Sequence, residues 1–238
     1  MTCCLVSGFT QNAGAVNLVV NGGFETTTNG TNKQLARHTD VTGWTSGTSA
    51  TPFYNFVVGP GAADTTGVLT KYNNQLYFWG AANGGTSTIP LSSPDGGNYI
   101  AADGDFEAGP ITQQLSGLTV GAFYDLNFWW AVGQQTGYEG DITEKFQVSL
   151  GGQTFSTPIV SMTSKGFIPW MAQKFTFQAD SATPILSFLS VGTPTGQPPF
   201  AMLDGVSLEA VPEPSTSFIG ALMVGGLILR RQRRNTPT

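Results

Sequence analysis

Alternation of apolar and polar positions runs through most of this chain and predicts strands. The clearest stretch is Ala122 to Val132, where Tyr124, Leu126, Phe128, Trp130 and Val132 share one face and Phe123, Asp125, Asn127 and Trp129 share the other. The first set reads as core. Phe146, Val148 and Leu150 repeat the pattern, and Gly151-Gly152 predicts a two-residue hairpin turn into Gln153–Thr157. Alternation recurs at Ile111, Gln113 and Leu115, at Met171, Gln173, Phe175 and Phe177, and along 185–191 and 200–208. Shorter strands are expected at 17–20, 41–45, 75–79 and 98–102. In Pro52–Val58 both faces are apolar, which predicts packing on both sides. Polar, Gly-rich stretches at 26–40, 59–67 and 80–88 read as loops. Helical periodicity is expected only near the C-terminus, where Phe218 to Leu229 form an apolar run of 12 residues.

Regularly spaced strands and Gly-rich turns predict an all-β protein, a single jelly-roll β-sandwich over residues 16–210. Composition agrees: 31 Gly serve turns, while 40% hydrophobic and 11% aromatic residues supply a core. The two Cys are adjacent, Cys3 and Cys4, so they cannot cross-link the body. Residues 1–15 read as the end of a truncated signal peptide, with Ala13-Gly14-Ala15 as a small-x-small cleavage site before Val16.

Charge is asymmetric. Up to Val211 the chain has five Lys and one Arg against 14 acids, a net −8; from Pro212 it has four Arg and one Glu, a net +3. An acidic body excludes nucleic acid as a partner and suits divalent cations and neutral sugars. The tail combines Pro212-Glu213-Pro214, the apolar run and Arg230-Arg231-Gln232-Arg233-Arg234. Twelve residues of helix rise only about 18 Å, short of a hydrocarbon core of about 30 Å, so the run makes a marginal permanent anchor. The Arg cluster puts the C-terminus on the cytoplasmic side.

This tail, 211–238, resembles the PEP-CTERM sorting signal, in which Pro-Glu-Pro precedes a short transmembrane helix and an Arg cluster. The resemblance implies a Gram-negative exported protein, held transiently in the inner membrane and processed by a membrane-bound exosortase. Its destination would then be the cell surface or an extracellular exopolysaccharide or biofilm matrix. The body carries a second resemblance. Asn21-Gly22-Gly23-Phe24-Glu25, Gly43-Trp44 and the closing Phe200-Ala201-Met202-Leu203-Asp204-Gly205-Val206-Ser207-Leu208 resemble the start and end of galactose-binding-like jelly rolls, carbohydrate-binding modules among them. That resemblance implies a structural Ca2+ between the first and last strands, held by Glu25 and Asp204.

Asp103, Asp105 and Glu107 form another acidic group, either a solvated turn or, through Asp103, a further ligand for the same calcium. Stacking on a sugar needs an aromatic face, and Trp79, Trp129 and Tyr99 are the candidates. Trp44 and Trp170 are weaker ones, since β-sandwiches bury most of their aromatics. The only His, His38, falls in a polar loop, and no nucleophile or phosphate-loop motif occurs. The function expected is therefore a non-enzymatic, exported glycan-binding module. The alternatives are a structural or adhesive matrix protein without a small ligand and, more remotely, a glycosidase using two of the 15 acids.

Overall fold

The computed structural model describes residues 16–212. The expected signal peptide at 1–15 and the sorting residues Glu213, Pro214, Arg230, Arg231, Arg233 and Arg234, with the apolar run between them, lie outside the described residues.

Among the described residues thirteen strands form, in chain order. They are β1 (Lys33–Gln34), β2 (Asn55–Val58), β3 (Val68–Leu69), β4 (Gln75–Leu76), β5 (Tyr99–Asp103), β6 (Ile111–Gln114) and β7 (Phe123–Gln134). They continue as β8 (Ile142–Leu150), β9 (Gln153–Ser156), β10 (Val160–Met162), β11 (Phe167–Gln178), β12 (Ile185–Thr193) and β13 (Pro199–Ala210). Helix among the described residues is limited to one 3-10 turn, Ala81–Asn83, so no helix there is long and apolar enough to cross a membrane.

Two sheets face each other. One has the order β11-β7-β13-β5-β2-β1-β3-β4; the other has β10-β8-β12-β6, with β9 added against β8. From β5 onward the chain repeatedly changes sheet, β5 to β6, β6 to β7 and β7 to β8, then β10 to β11, β11 to β12 and β12 to β13. This shuttling makes the body a β-sandwich. Its spine is the antiparallel pair β7–β13, in register from Pro199 opposite Gln134 to Ala210 opposite Tyr124, with a bulge between Asp204 and Ser207.

The alternating face of β7 enters the space between the sheets. Tyr124, Leu126, Phe128, Trp130 and Val132 are all buried there, against Phe146 and Phe188 from the second sheet. Phe188 meets Phe128 edge-on, with centroids 5.1 Å apart and an 83° interplanar angle, an arrangement aromatic quadrupoles favour. Full burial of each such side chain removes it from water at a gain of about 1.5–3 kcal/mol. The Gly151-Gly152 hairpin forms, with Leu150 opposite Gln153.

A second core covers the opposite face of the larger sheet. Tyr54, just before β2, and Phe56 and Val58 of β2 join Tyr99, Phe200 and Met202 beneath Ala62, Val68, Leu76 and Phe78. Val57 of the same strand faces the inter-sheet core, so β2 is packed on both sides, as its doubly apolar pattern requires. The segment around β3 and β4 is therefore a cap on the sheet.

Two expected strands do not form as regular strands. Residues 17–20 run beside β13 through Leu18 N–H donating to Leu208 O (2.9 Å), and the Asn17 side chain accepts from Leu208 N–H (3.0 Å). Residues 41–45 make only isolated bridges, Val41 with Thr27 and Thr45 with Thr112. Side-chain bonds stand in for a ladder: the Gln113 amide accepts from Val20 N–H and donates to Val20 O, and Asn21 Nδ2 donates to Thr42 O.

Candidate functional site

The turn 21–25 clasps the β13 bulge. A Cβ on Gly22 would lie 1.9 Å from Val206 O, so only glycine permits the approach, and Val206 N–H donates to Gly22 O at 3.0 Å. This close fit brings Glu25 and Asp204 to one place, with Asp95 beside them. A Cβ on Gly23 would meet Asp95 Oδ2 at 3.0 Å, Asp204 Oδ1 at 3.9 Å and Glu25 Cγ at 4.0 Å. Asp204 is fully buried; its Oδ2 accepts from Ser93 Oγ (2.5 Å) and its Oδ1 from Gly205 N–H (2.7 Å). Burial, aided by the Asp95 and Glu25 carboxylates, pushes its carboxyl from the ordinary 3.8 up to about 8. Glu25 accepts from Asn98 N–H at 2.8 Å.

The donor set around Gly23 is carboxylate oxygen and suits a hard cation. Even so, among the described residues no group of three or more His, Cys, Asp or Glu side chains is spaced to hold a metal ion. Asp103 does not join Glu25 and Asp204. It pairs with Phe200, whereas Asp204 lies four residues further along β13 opposite Trp129, about 13 Å away at strand spacing. Instead Asp103 Oδ1 accepts from Asp105 N–H (2.8 Å) and Phe106 N–H (2.9 Å) and shapes that turn, while its Oδ2 has no partner.

The aromatic candidates separate. Tyr99 is 1% exposed and packs edge-on against Trp170, so it offers no face to a sugar. Trp44 is buried in the core with its Nε1–H on Asn21 O. Trp129 is half-buried on the outer face of β7, in a shallow dish of about 230 Å³ shared with Asn127, Gln173 and Lys174. Trp79 is also half-buried, but Lys165 Nζ lies 4.9 Å from its ring centroid and Nε1–H donates to Tyr138 O at 2.8 Å. It braces the loop that carries Tyr138.

Behind that brace lies a larger cleft, about 370 Å³, which sequence reasoning missed. Its walls are Tyr54, Tyr72, Phe106 and Tyr138, and Asn74, Asp105, Gln135 and Thr195 contribute polar groups. Tyr72, Phe106 and Tyr138 are 57%, 44% and 40% exposed, rare values for large rings in a folded body. Tyr54 stands edge-on to Phe106, with centroids 5.1 Å apart. Asp105 is held at the rim, its Oδ1 accepting from Thr195 Oγ1 and its Oδ2 from Gly196 N–H, both at 3.0 Å. Periodicity cannot find these rings, because they sit in loops. Their signal is an aromatic residue inside a polar turn: Lys71-Tyr72-Asn73, Asp105-Phe106-Glu107 and Gly137-Tyr138-Glu139. The cleft presents one carboxyl group, Asp105, where glycoside hydrolysis by the usual route needs two.

The molecule is thus a two-sheet β-sandwich with an aromatic cleft beside the cap on its larger sheet. No family model matches the chain, and no curated protein does. Among solved structures, it is similar to the enzymatically active domain of bacteriophage CBA120 tailspike protein 4 (12% identity, TM-score 0.35). That match covers 82% of this chain but only 21% of the tailspike chain. It is also similar to the CBM22-1 xylan-binding domain of Xyn10C from Paenibacillus barcinonensis (11% identity, 66% of this chain and 87% of that one, TM-score 0.33). A third is the C-terminal CBM6 of LamC from Zobellia galactanivorans (10% identity, 49% and 83%, TM-score 0.32). Carbohydrate-binding modules thus recur among the structural neighbours, at scores too low to carry fold or ligand across.

Proposed function

We propose that this protein is a non-catalytic glycan-binding module of an exported, cell-surface or matrix protein, and that the cleft walled by Tyr72, Phe106 and Tyr138 takes the sugar. One observation carries the reading: three of the most exposed aromatic rings converge on a single cavity rimmed by Asp105, Gln135 and Thr195. A pyranose has an apolar C–H face that stacks on such rings, while its hydroxyls need amide, carboxylate and hydroxyl partners. An array of polysaccharides and oligosaccharides probed with the folded protein tests it. Capture of a defined glycan, lost in Tyr72→Ala and Tyr138→Ala, supports the reading; a blank array removes it and leaves the structural matrix role.

Calcium belongs to the same reading. Glu25 and Asp204, with backbone carbonyls and water completing the oxygen shell, would hold Ca2+ where the first turn meets the last strand, and the ion would supply charge neutralisation, with no part in chemistry. Uncompensated carboxylates around Gly23, without a basic partner at Asp204, support it. At a free Ca2+ concentration of 100 Kd, the folded state gains about 2.7 kcal/mol, seen as a higher melting temperature. A melting temperature indifferent to Ca2+ and to chelator overturns the site.

Sorting is proposed from the tail alone. Pro212-Glu213-Pro214 would be the processing region for a membrane-bound exosortase, and Arg230 to Arg234 the cytoplasmic stop. Intact mass of protein recovered from the cell exterior tests it, since a mature chain that still carries Arg230 to Arg234 contradicts processing.

A further inference from the structure

The cleft has a chemical bias that goes beyond sugar stacking. Four rings line it, Tyr54, Tyr72, Phe106 and Tyr138, and its only charged lining group is the Asp105 carboxylate. Each Asp105 oxygen accepts one internal hydrogen bond and keeps a lone pair for a ligand. Aromatic faces carry negative potential, so rings grouped around a carboxylate attract a cation, the recognition mode of ammonium-binding cages. Outside the lining, Lys71 Nζ lies 5.2 Å from the Tyr72 centroid and is neutralised by Glu107 at 2.5 Å. It shows one of these rings already facing a cation without adding net positive charge to the mouth.

We infer that the cleft binds a sugar bearing a free, protonated amine, a hexosamine unit of a cationic polysaccharide, with the amine between Asp105 and the rings and the pyranose face on an aromatic. This inference rests on the glycan-binding reading. An N-acetylated sugar would bring no charge, and a uronate would set a second carboxylate against Asp105 with no basic residue among the lining groups. The −8 body would draw any polycation weakly over its whole surface, so the specific term must be separated from that background.

Calorimetric titration of the full chain with a glucosamine hexamer, its N-acetylated form, cellohexaose and an oligogalacturonate provides the test. With the amine protonated, the glucosamine hexamer should bind at least about tenfold tighter than the neutral oligomers. The advantage should disappear when the pH is raised to deprotonate the amine. Asp105→Asn, which changes one of 14 body acids and keeps an acceptor, should abolish it, whereas Asp180→Asn at a remote exposed turn should not. Equal or tighter binding of neutral or uronate oligomers, or an amine preference that survives Asp105→Asn, overturns the inference while leaving glycan binding intact. Failure of every oligomer to bind overturns both.

Discussion

Asp103→Asn should change how stability depends on pH. Asp103 is fully buried, and its Oδ2 lacks a partner. Burial, with Asp105 and Glu107 adding repulsion, pushes its carboxyl from the ordinary 3.8 to about 7, against two lowering backbone hydrogen bonds. The folded protein therefore holds a proton that the unfolded chain releases earlier. Stability is complete below about pH 4, falls by about 1.4 kcal/mol per pH unit as the unfolded chain ionises, and levels off above pH 7. Three units give a loss on the order of 4 kcal/mol across that window. Asn does not titrate, and its amide oxygen can keep the bonds from Asp105 N–H and Phe106 N–H. Its amide nitrogen inherits a site with no acceptor and costs about 1–3 kcal/mol at every pH, so the slope is the readout and the absolute value is not. The other groups facing Asp103 are Tyr54 and Glu144, and Glu144 is itself raised by burial. Both remain in the variant and largely cancel in the difference. Urea unfolding from pH 4.5 to 8 should show the variant gaining on the parent by close to one proton's slope. Parallel curves for the two proteins would refute the buried, proton-holding carboxyl.

Three further outcomes are expected. Tyr72→Ala or Tyr138→Ala should weaken glycan binding by about 1–2 kcal/mol, roughly five- to thirtyfold by calorimetry, with little change in melting temperature because both rings are exposed. Trp79→Phe removes the Nε1–H bond to Tyr138 O and should loosen that wall, lowering affinity severalfold while the fold persists. Trp130→Ala leaves a cavity at a position 1% exposed and should cost about 3–5 kcal/mol in urea unfolding, a far larger effect than any cleft substitution.

The long strands were legible because burial there is one-sided. β7 alternates because one face meets Phe146 and Phe188 and the other meets the surface or the cap. The pairing of residues 21–25 with β13 was expected only through the resemblance to galactose-binding-like jelly rolls, and in the structure it takes the form of the close Gly22–Val206 backbone contact. The aromatic candidates were less so. Tyr99 and Trp129 both lie on the outer face of the larger sheet, yet one is sealed beneath the cap and the other is only half-buried in a surface dish. That difference depends on where residues far away in sequence come to rest, and no local pattern encodes it.

The cap also explains why the cleft stands where it does. A bare sheet face would offer its strand aromatics to a ligand, but here β3, β4 and the loops around them bury Tyr99, Phe56 and Phe200. Stacking surface must then come from loops at the cap's margin, and Tyr72, Phe106 and Tyr138 are loop residues. Such residues need rigid support to bind with little loss of entropy. Each has it: Tyr72 N–H donates to Thr70 Oγ1, Phe106 N–H to the buried Asp103, and the Tyr138 carbonyl accepts from Trp79. The sandwich supplies the anchors and the cap displaces the rings outward. The groups that fix the cleft, Asp103 and Trp79, are therefore residues outside its lining.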